Sequence, residues 1–199
     1  MFASKHKVPI LCDSYIDLYS NCNINCDHCK FQINRDCEIK VNDINFEDYK
    51  DKKVLFCYSV DPYPYGQETS NLVETVIQRL HKQNCSIVFL TRRAECLFED
   101  LDNFNRNDFA GVSLSENCRR NSDEQVVMEM YKKAKLLGIN TWMSLEPIHT
   151  YEYANYIIDK YYDVVDFIRI GKNDLMEYDW DIIKKNIIVN NNKKVFIKQ

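Results

Sequence analysis

Residues 86–91 read SIVFLT, an unbroken run of apolar and β-branched side chains between the polar stretches "KQN" and "RRAE". A strand with one wet face alternates apolar and polar residues. An unbroken run is the pattern of a strand covered on both faces, as in a parallel sheet. Working outward, "VLFCYSV" (54–60), "AGVSL" (110–114), "NTWMSL" (140–145), "DFIRI" (166–170) and "KVFI" (194–197) carry the same signature. "YIDLY" (15–19) is a seventh candidate strand, running into a cysteine-rich loop. From residue 54 the runs begin at 54, 86, 110, 140, 166 and 194, separations of 32, 24, 30, 26 and 28 residues.

Helical periodicity fills the gaps. Ser70 is a cap for a helix with Leu72, Val73, Val76, Ile77 and Leu80 on one face. Ser122 and Gln125 form a capping-box pattern ahead of Val126, Met130, Ala134 and Leu137, and Gly138 supplies the stop. Thr150 is a cap for Ala154, Ile157, Ile158 and Tyr161; Trp180, Ile183 and Ile187 mark one more helix. One βα unit per 24–32 residues predicts an α/β fold with parallel strands and right-handed crossovers. The expectation is a partial (β/α) TIM-type barrel of about six to seven βα units, with a doubly wound sheet as the alternative. Function then belongs in the loops after the C-terminal strand ends.

The chain of 199 residues is expected to form a single domain over 1–199. At 45% hydrophobic and 28% charged residues its composition is that of a water-soluble globular protein. No stretch approaches the roughly 18 apolar residues of a membrane helix, and the N-terminus lacks signal-peptide architecture. Both point to a cytoplasmic protein without membrane association. A net charge of −4 argues against a broad nucleic-acid-binding surface. The C-terminal lysines 184, 185, 193, 194 and 198 read as a solvated face and tail.

Nine cysteines, an odd count, speak for metal binding over a disulfide scaffold in a reducing compartment. Three of them cluster in "SNCNINCDHCK": Cys22, Cys26 and Cys29, spaced C-x3-C-x2-C. A zinc or iron–sulfur module with Cys37 as fourth ligand is one reading, although zinc modules favour paired C-x2-C knuckles. A redox pair of Cys26 and Cys29 would leave Cys22 idle, and His28 beside Cys29 is poorly placed as a ligand. The third reading is a 4Fe–4S cluster on three thiolates with one iron open.

With its place after a first strand, "CNINCDHC" resembles the signature of the radical S-adenosylmethionine superfamily. The Gly-Gly-Glu stretch usual after the second strand is missing. "SVDPYPYG" and "TRR" are instead similar to the spore-photoproduct-lyase-like branch, and "GVSLSEN", "SLEP" and "VFIKQ" to small phage or mobile-element proteins of the superfamily. The resemblance implies that Cys22, Cys26 and Cys29 hold the cluster, whose open iron chelates S-adenosylmethionine. One electron, from a donor such as flavodoxin or ferredoxin, releases methionine and a 5′-deoxyadenosyl radical that takes hydrogen from a substrate.

The same resemblance assigns cofactor contacts. His28 replaces the usual aromatic residue near the adenine. Ser59 or Asp61 takes the methionine amino group, although Asp61-Pro62 also reads as a turn starter. Arg92 stands where a lysine faces the carboxylate, and arginine can grip it bidentately. Ser113 takes the carboxylate or ribose, and Glu116 lies near the ribose hydroxyls. Ser115 alternates with Leu114 and shares one face of the strand with Ser113; it reads equally as a cofactor contact and as a buried serine on a backbone partner. Glu146 contacts substrate, ribose or Arg169, and Gly171 admits the adenine at the sixth strand. Lys198 and Gln199 end at the barrel mouth. Among Cys57, Cys96 and Cys118, Cys118 is the best placed to give a hydrogen atom to a product radical; a buried cysteine is otherwise a small hydrophobe. The substrate classes in view are a nucleic acid or nucleotide, a partner protein activated as a glycyl radical, and a small metabolite.

Overall fold

The computed structural model describes residues 12–27, 29, 39, 41–66, 70–172, 179–187 and 194–197. His28, Cys37, Lys193, Lys198 and Gln199 lie outside the described residues. Seven strands are described: β1 (Ser14–Ile16), β2 (Lys53–Phe56), β3 (Ser86–Thr91), β4 (Phe109–Leu114), β5 (Asn140–Leu145), β6 (Phe167–Ile170) and β7 (Val195–Ile197). They form one parallel sheet in the order β1-β2-β3-β4-β5-β6-β7. The order contains no reversal, so this is not the doubly wound arrangement, which needs a switch point.

Five α-helices are described: α1 (Ser70–Lys82), α2 (Ala94–Asp100), α3 (Glu124–Leu136), α4 (Tyr151–Tyr161) and α5 (Trp180–Asn186). Every one sends apolar side chains into a single large core with Val54, Phe56, Ile87, Phe89, Val112, Met143, Leu145 and Ile168. The alternate strand residues point the other way and form a second, smaller cluster of Val88, Trp142 and Phe167, flanked by Leu55, Leu90, Phe109 and Phe196. No described helix contributes to that second face. The period of two along each strand thus sorts the sheet into a helix-covered face and a helix-free face.

Strands β3 and β5 span the runs read from sequence, and the others differ by a few residues. β2 stops at Phe56 because Cys57 turns out of the strand at φ 59°. β1 ends at Ile16, so Leu18 and Tyr19 belong to the loop, where both are buried. The sequence offers α2 only as a helix capped by Thr91, with no apolar face read for it. It begins at Ala94 with Arg93 at the cap position and no side-chain cap bond, and Thr91 Oγ1 accepts from Arg93 N–H. The capping box at Ser122 does not form. Asp123 caps α3, accepting from the Gln125 and Val126 amides. Ser122 instead donates to the Arg92 carbonyl and accepts from Ala94 N–H, tying α2 to α3. The buried face of α3 is Val127, Met130, Tyr131 and Ala134, while Leu137 is 40% exposed. Thr150 caps α4 as read, with Ala154, Ile157, Ile158 and Tyr161 buried. Among the described residues no helix is long and apolar enough to cross a membrane.

Candidate functional site

Each parallel strand delivers the chain to the same end of the sheet, so the loops after the strands converge. There a cavity of about 510 Å³ opens on the helix-free side. The loop after β1 contributes Cys22, Ile24, Cys26 and Cys29 to its wall. The turn after β2 contributes Cys57 to Asp61, the end of β3 Leu90 to Arg92. Ser113 of β4, Ser144 of β5, then Glu146, Pro147 and Lys172 complete it.

The cysteine loop is anchored by its own non-cysteine residues. Ile24 is 1% exposed and Leu18 fully buried. The Asn23 amide donates to the Tyr65 carbonyl and accepts from the Tyr65 N–H, both at 2.8 Å, which clamps the loop to the turn after β2. Asn25 takes a left-handed conformation at φ 59°, which asparagine tolerates well. A bond from Cys29 N–H to the Cys26 carbonyl at 3.0 Å closes the second turn. Three thiols are thereby held on one side of one cavity.

Their surroundings differ. Burial raises the Cys22 thiol, while N–H donors from Ile24 and Asp61 favour its thiolate. Cys26 meets a fourth cysteine, Cys118, and the two share one hydrogen bond. The bond from Cys26 pulls the Cys118 thiol down to about 5 against the effect of burial, with the Arg120 and Asp27 amides and the Arg92 charge in support. The same shared bond and burial push the Cys26 thiol up.

Thiolates are soft donors suited to iron–sulfur clusters, and amide N–H groups around the sulfurs tune such a centre. Among the described residues no group of three or more His, Cys, Asp or Glu side chains is placed to hold one metal ion. A lone zinc ion needs its donors converging at about 2.3 Å. A four-iron cluster would take each thiolate at a separate iron.

Arg92 is 8% exposed and lines the cavity, yet its guanidinium is already engaged. It donates to Ser115 Oγ at 2.6 Å, to Asn121 Oδ1 at 3.2 Å, and at 3.8 Å to the Cys118 sulfur. Asp61 accepts from Tyr63 N–H, Thr91 Oγ1 and Arg92 N–H, and burial raises its carboxyl. Asp61 therefore fixes the turn after β2 to the end of β3. Ser59 sits on the same wall, its backbone amide bonded to Asp17.

Eight residues read as site residues thus share one cavity: Cys22, Cys26, Cys29, Ser59, Asp61, Arg92, Ser113 and Glu146. Others are elsewhere. Ser115 does not share the face of Ser113, because β4 ends at Leu114. It is fully buried, donating to the Glu146 carbonyl. Glu116 points away from the cavity: its carboxylate accepts from the His149 and Thr150 amides and the Thr150 hydroxyl, steadying the start of α4. Cys118 lies behind the cavity wall, against Cys26 and Arg92. Gly171 holds the Glu146 carboxylate against its Cα, where a Cβ would come within 2.5 Å of Glu146 Cδ. Arg169 stands on the helix-free face beside Ser144 and is not part of the lining.

Lys172, Tyr58 and Asn121 are part of the arrangement and were not singled out in the sequence. Lys172 directly follows the flagged Gly171, a local signal that was available. Asn121 had none, since its bonds to Arg92 and Ser115 arise only when two loops meet. No family model matches the chain, and neither the curated proteins nor the solved structures contain a significant match to it.

Proposed function

We propose that the protein is a radical S-adenosylmethionine enzyme built on a partial (β/α) barrel. One observation carries the reading: the C-x3-C-x2-C thiols share a cavity with Ser59, Asp61, Arg92, Ser113 and Glu146 at the C-terminal end of a sequentially ordered parallel sheet. A sheet of seven parallel strands with its described helices packed on one side supports the open-barrel description. Cys22, Cys26 and Cys29 would hold a 4Fe–4S cluster, and with S-adenosylmethionine bound that group supplies the electron that yields methionine and a 5′-deoxyadenosyl radical. The chain's own part is binding and shelter. Ser59, Ser113 and Glu146 offer hydroxyl and carboxylate groups to the cosubstrate's amino, carboxylate and ribose groups. Arg92, held by Asp61, Ser115 and Asn121, keeps a positive charge beside the anionic thiolates. Leu90, Val60 and Ile24 exclude water from the wall.

The test is anaerobic reconstitution of the full chain with iron and sulfide, then dithionite and S-adenosylmethionine. Four irons per chain and 5′-deoxyadenosine are expected, with Cys22→Ala, Cys26→Ala and Cys29→Ala each abolishing product and Cys37→Ala silent. A loaded cluster that never yields 5′-deoxyadenosine, or a cluster lost on Cys37→Ala, overturns the reading.

A further inference from the structure

Arg169 is a charged side chain on the helix-free face without a hydrogen-bond or ion-pair partner among the described residues. In register it lies between Ser144 of β5 and Phe196 of β7. Its Nε is buried without a hydrogen bond. Among the described residues, no ion pair within 4.0 Å involves it. The side chain as a whole is half-buried, but a buried donor without an acceptor is costly. Such a group is satisfied when an acceptor arrives from outside.

Its neighbours are donors too. Ser113, Ser144 and Arg169 are register partners on three adjacent strands. Both serines line the cavity, and neither hydroxyl has a hydrogen-bond partner among the described residues. One residue pair further down the same face, Trp142 and Phe167 stack at 5.7 Å. The Trp142 indole donates to the Phe89 carbonyl at 2.9 Å, so the ring is fixed. Lys172 adds a second cation to the cavity wall. Glu146 is the carboxylate on the same wall, and it is folded against Gly171 without pairing to Arg169. The Ser144 hydroxyl and a fork of guanidinium donors make a receptor for a planar or tetrahedral oxyanion.

We infer that Arg169, with Ser144 beside it, forms a subsite for an anionic group, carboxylate or phosphate, of the molecule the radical attacks. β1 and β6 are five strands apart, about 24 Å along the sheet at ~4.8 Å per strand. An anion held at Arg169 therefore anchors its molecule beside the Ser144 edge of the cavity, away from the cysteine loop, with the body of the molecule reaching into the cavity. The identity of that molecule as the substrate rests on the proposed function; the anion site itself does not.

The experiment uses the full chain without its cluster. Binding of inorganic phosphate and of succinate is measured by calorimetry for the wild type, Arg169→Gln, Arg169→Lys and Ser144→Ala, with circular dichroism as the check on folding. The wild type should bind at least one probe. Arg169→Gln should weaken it about tenfold or more, and Arg169→Lys less, since it keeps the charge and loses the fork. Ser144→Ala should weaken it several-fold. Tighter phosphate binding identifies a phosphoester substrate and tighter succinate binding a carboxylate. No binding of either probe by the wild type, or equal binding by a folded Arg169→Gln chain, overturns the subsite. Arg169-dependent binding in a chain whose loaded cluster never cleaves S-adenosylmethionine keeps the subsite and removes the radical reading. Cleavage without Arg169-dependent binding does the reverse.

Discussion

The Asp61 carboxylate accepts hydrogen bonds from three donors on two segments: Tyr63 N–H, Thr91 Oγ1 and Arg92 N–H. Its Asp-Pro context reads in sequence as a turn starter, and it does start a turn. What sequence could not give is that the same oxygens hold the end of β3. Replacing Asp61 by alanine leaves these donors unsatisfied in a buried place. The expected cost is about 1–3 kcal/mol, seen in urea unfolding as a lower midpoint with an unchanged slope. Thr91→Ala removes a single donor and should cost less. Glu116 teaches the opposite lesson. Its type and position suggested a ribose contact, but two amides and a hydroxyl claim its oxygens first.

At the scale of elements, β4 and β5 depend on one close approach. A Cβ on Gly111 would fall 2.2 Å from Trp142 Nε1, and the indole cannot retreat without breaking its bond to the Phe89 carbonyl. Gly111→Ala should therefore cost about 1–3 kcal/mol by overpacking and shift the tryptophan emission. α3 and α4 are joined differently. Lys160 pairs with Glu124 at the start of α3, and Tyr156 donates to the same carboxylate at 2.8 Å. The Lys160 ammonium and the Tyr156 hydroxyl hold the Glu124 carboxyl below its ordinary range. A folded-state value below the unfolded one gives stability that is present above the unfolded pKa and lost as pH falls through the folded one. Both side chains are partly exposed, so the effect is small, about 0.2–1 kcal/mol. Thermal unfolding of the wild type and Glu124→Gln should differ near neutral pH and converge in acid; a gap that widened on acidification would contradict the pairing.

Across the whole molecule the two ends of the sheet do different work. At the N-terminal end an aspartate just before a strand accepts the amide at or near the start of a neighbouring strand: Asp13 that of Lys53, Asp108 that of Ile87, Asp166 that of Thr141. Asp108 is fully buried and also binds His81 and the Asn105 amide. These acids have their bonds and offer little to a ligand. At the C-terminal end thiols, serines and Lys172 line a cavity, and Arg169 stands beside its Ser144 edge. Asp108→Ala should lower stability by about 3–5 kcal/mol, while the fraction that stays folded should still take up iron on reconstitution. Cys29→Ala should do the reverse, keeping the melting temperature of the cluster-free chain and losing the iron.

By itself the sequence determined the strand runs, the βα rhythm, four of the five described helices and the cysteine cluster. These rest on local patterns: side-chain periodicity, capping residues and ligand spacing act within a few residues of one another. Tertiary structure decided where β1 and β2 stop, that Asp123 and not Ser122 caps α3, and that Ser115, Glu116 and Cys118 stand behind the cavity wall. It also decided that Arg169 stands beside Ser144 with no ion-pair partner among the described residues. Each of those outcomes depends on which distant donor or acceptor meets a side chain first. That competition is settled only when loops 30 or more residues apart are brought to the same end of the sheet, as Asp61 and Arg92 are.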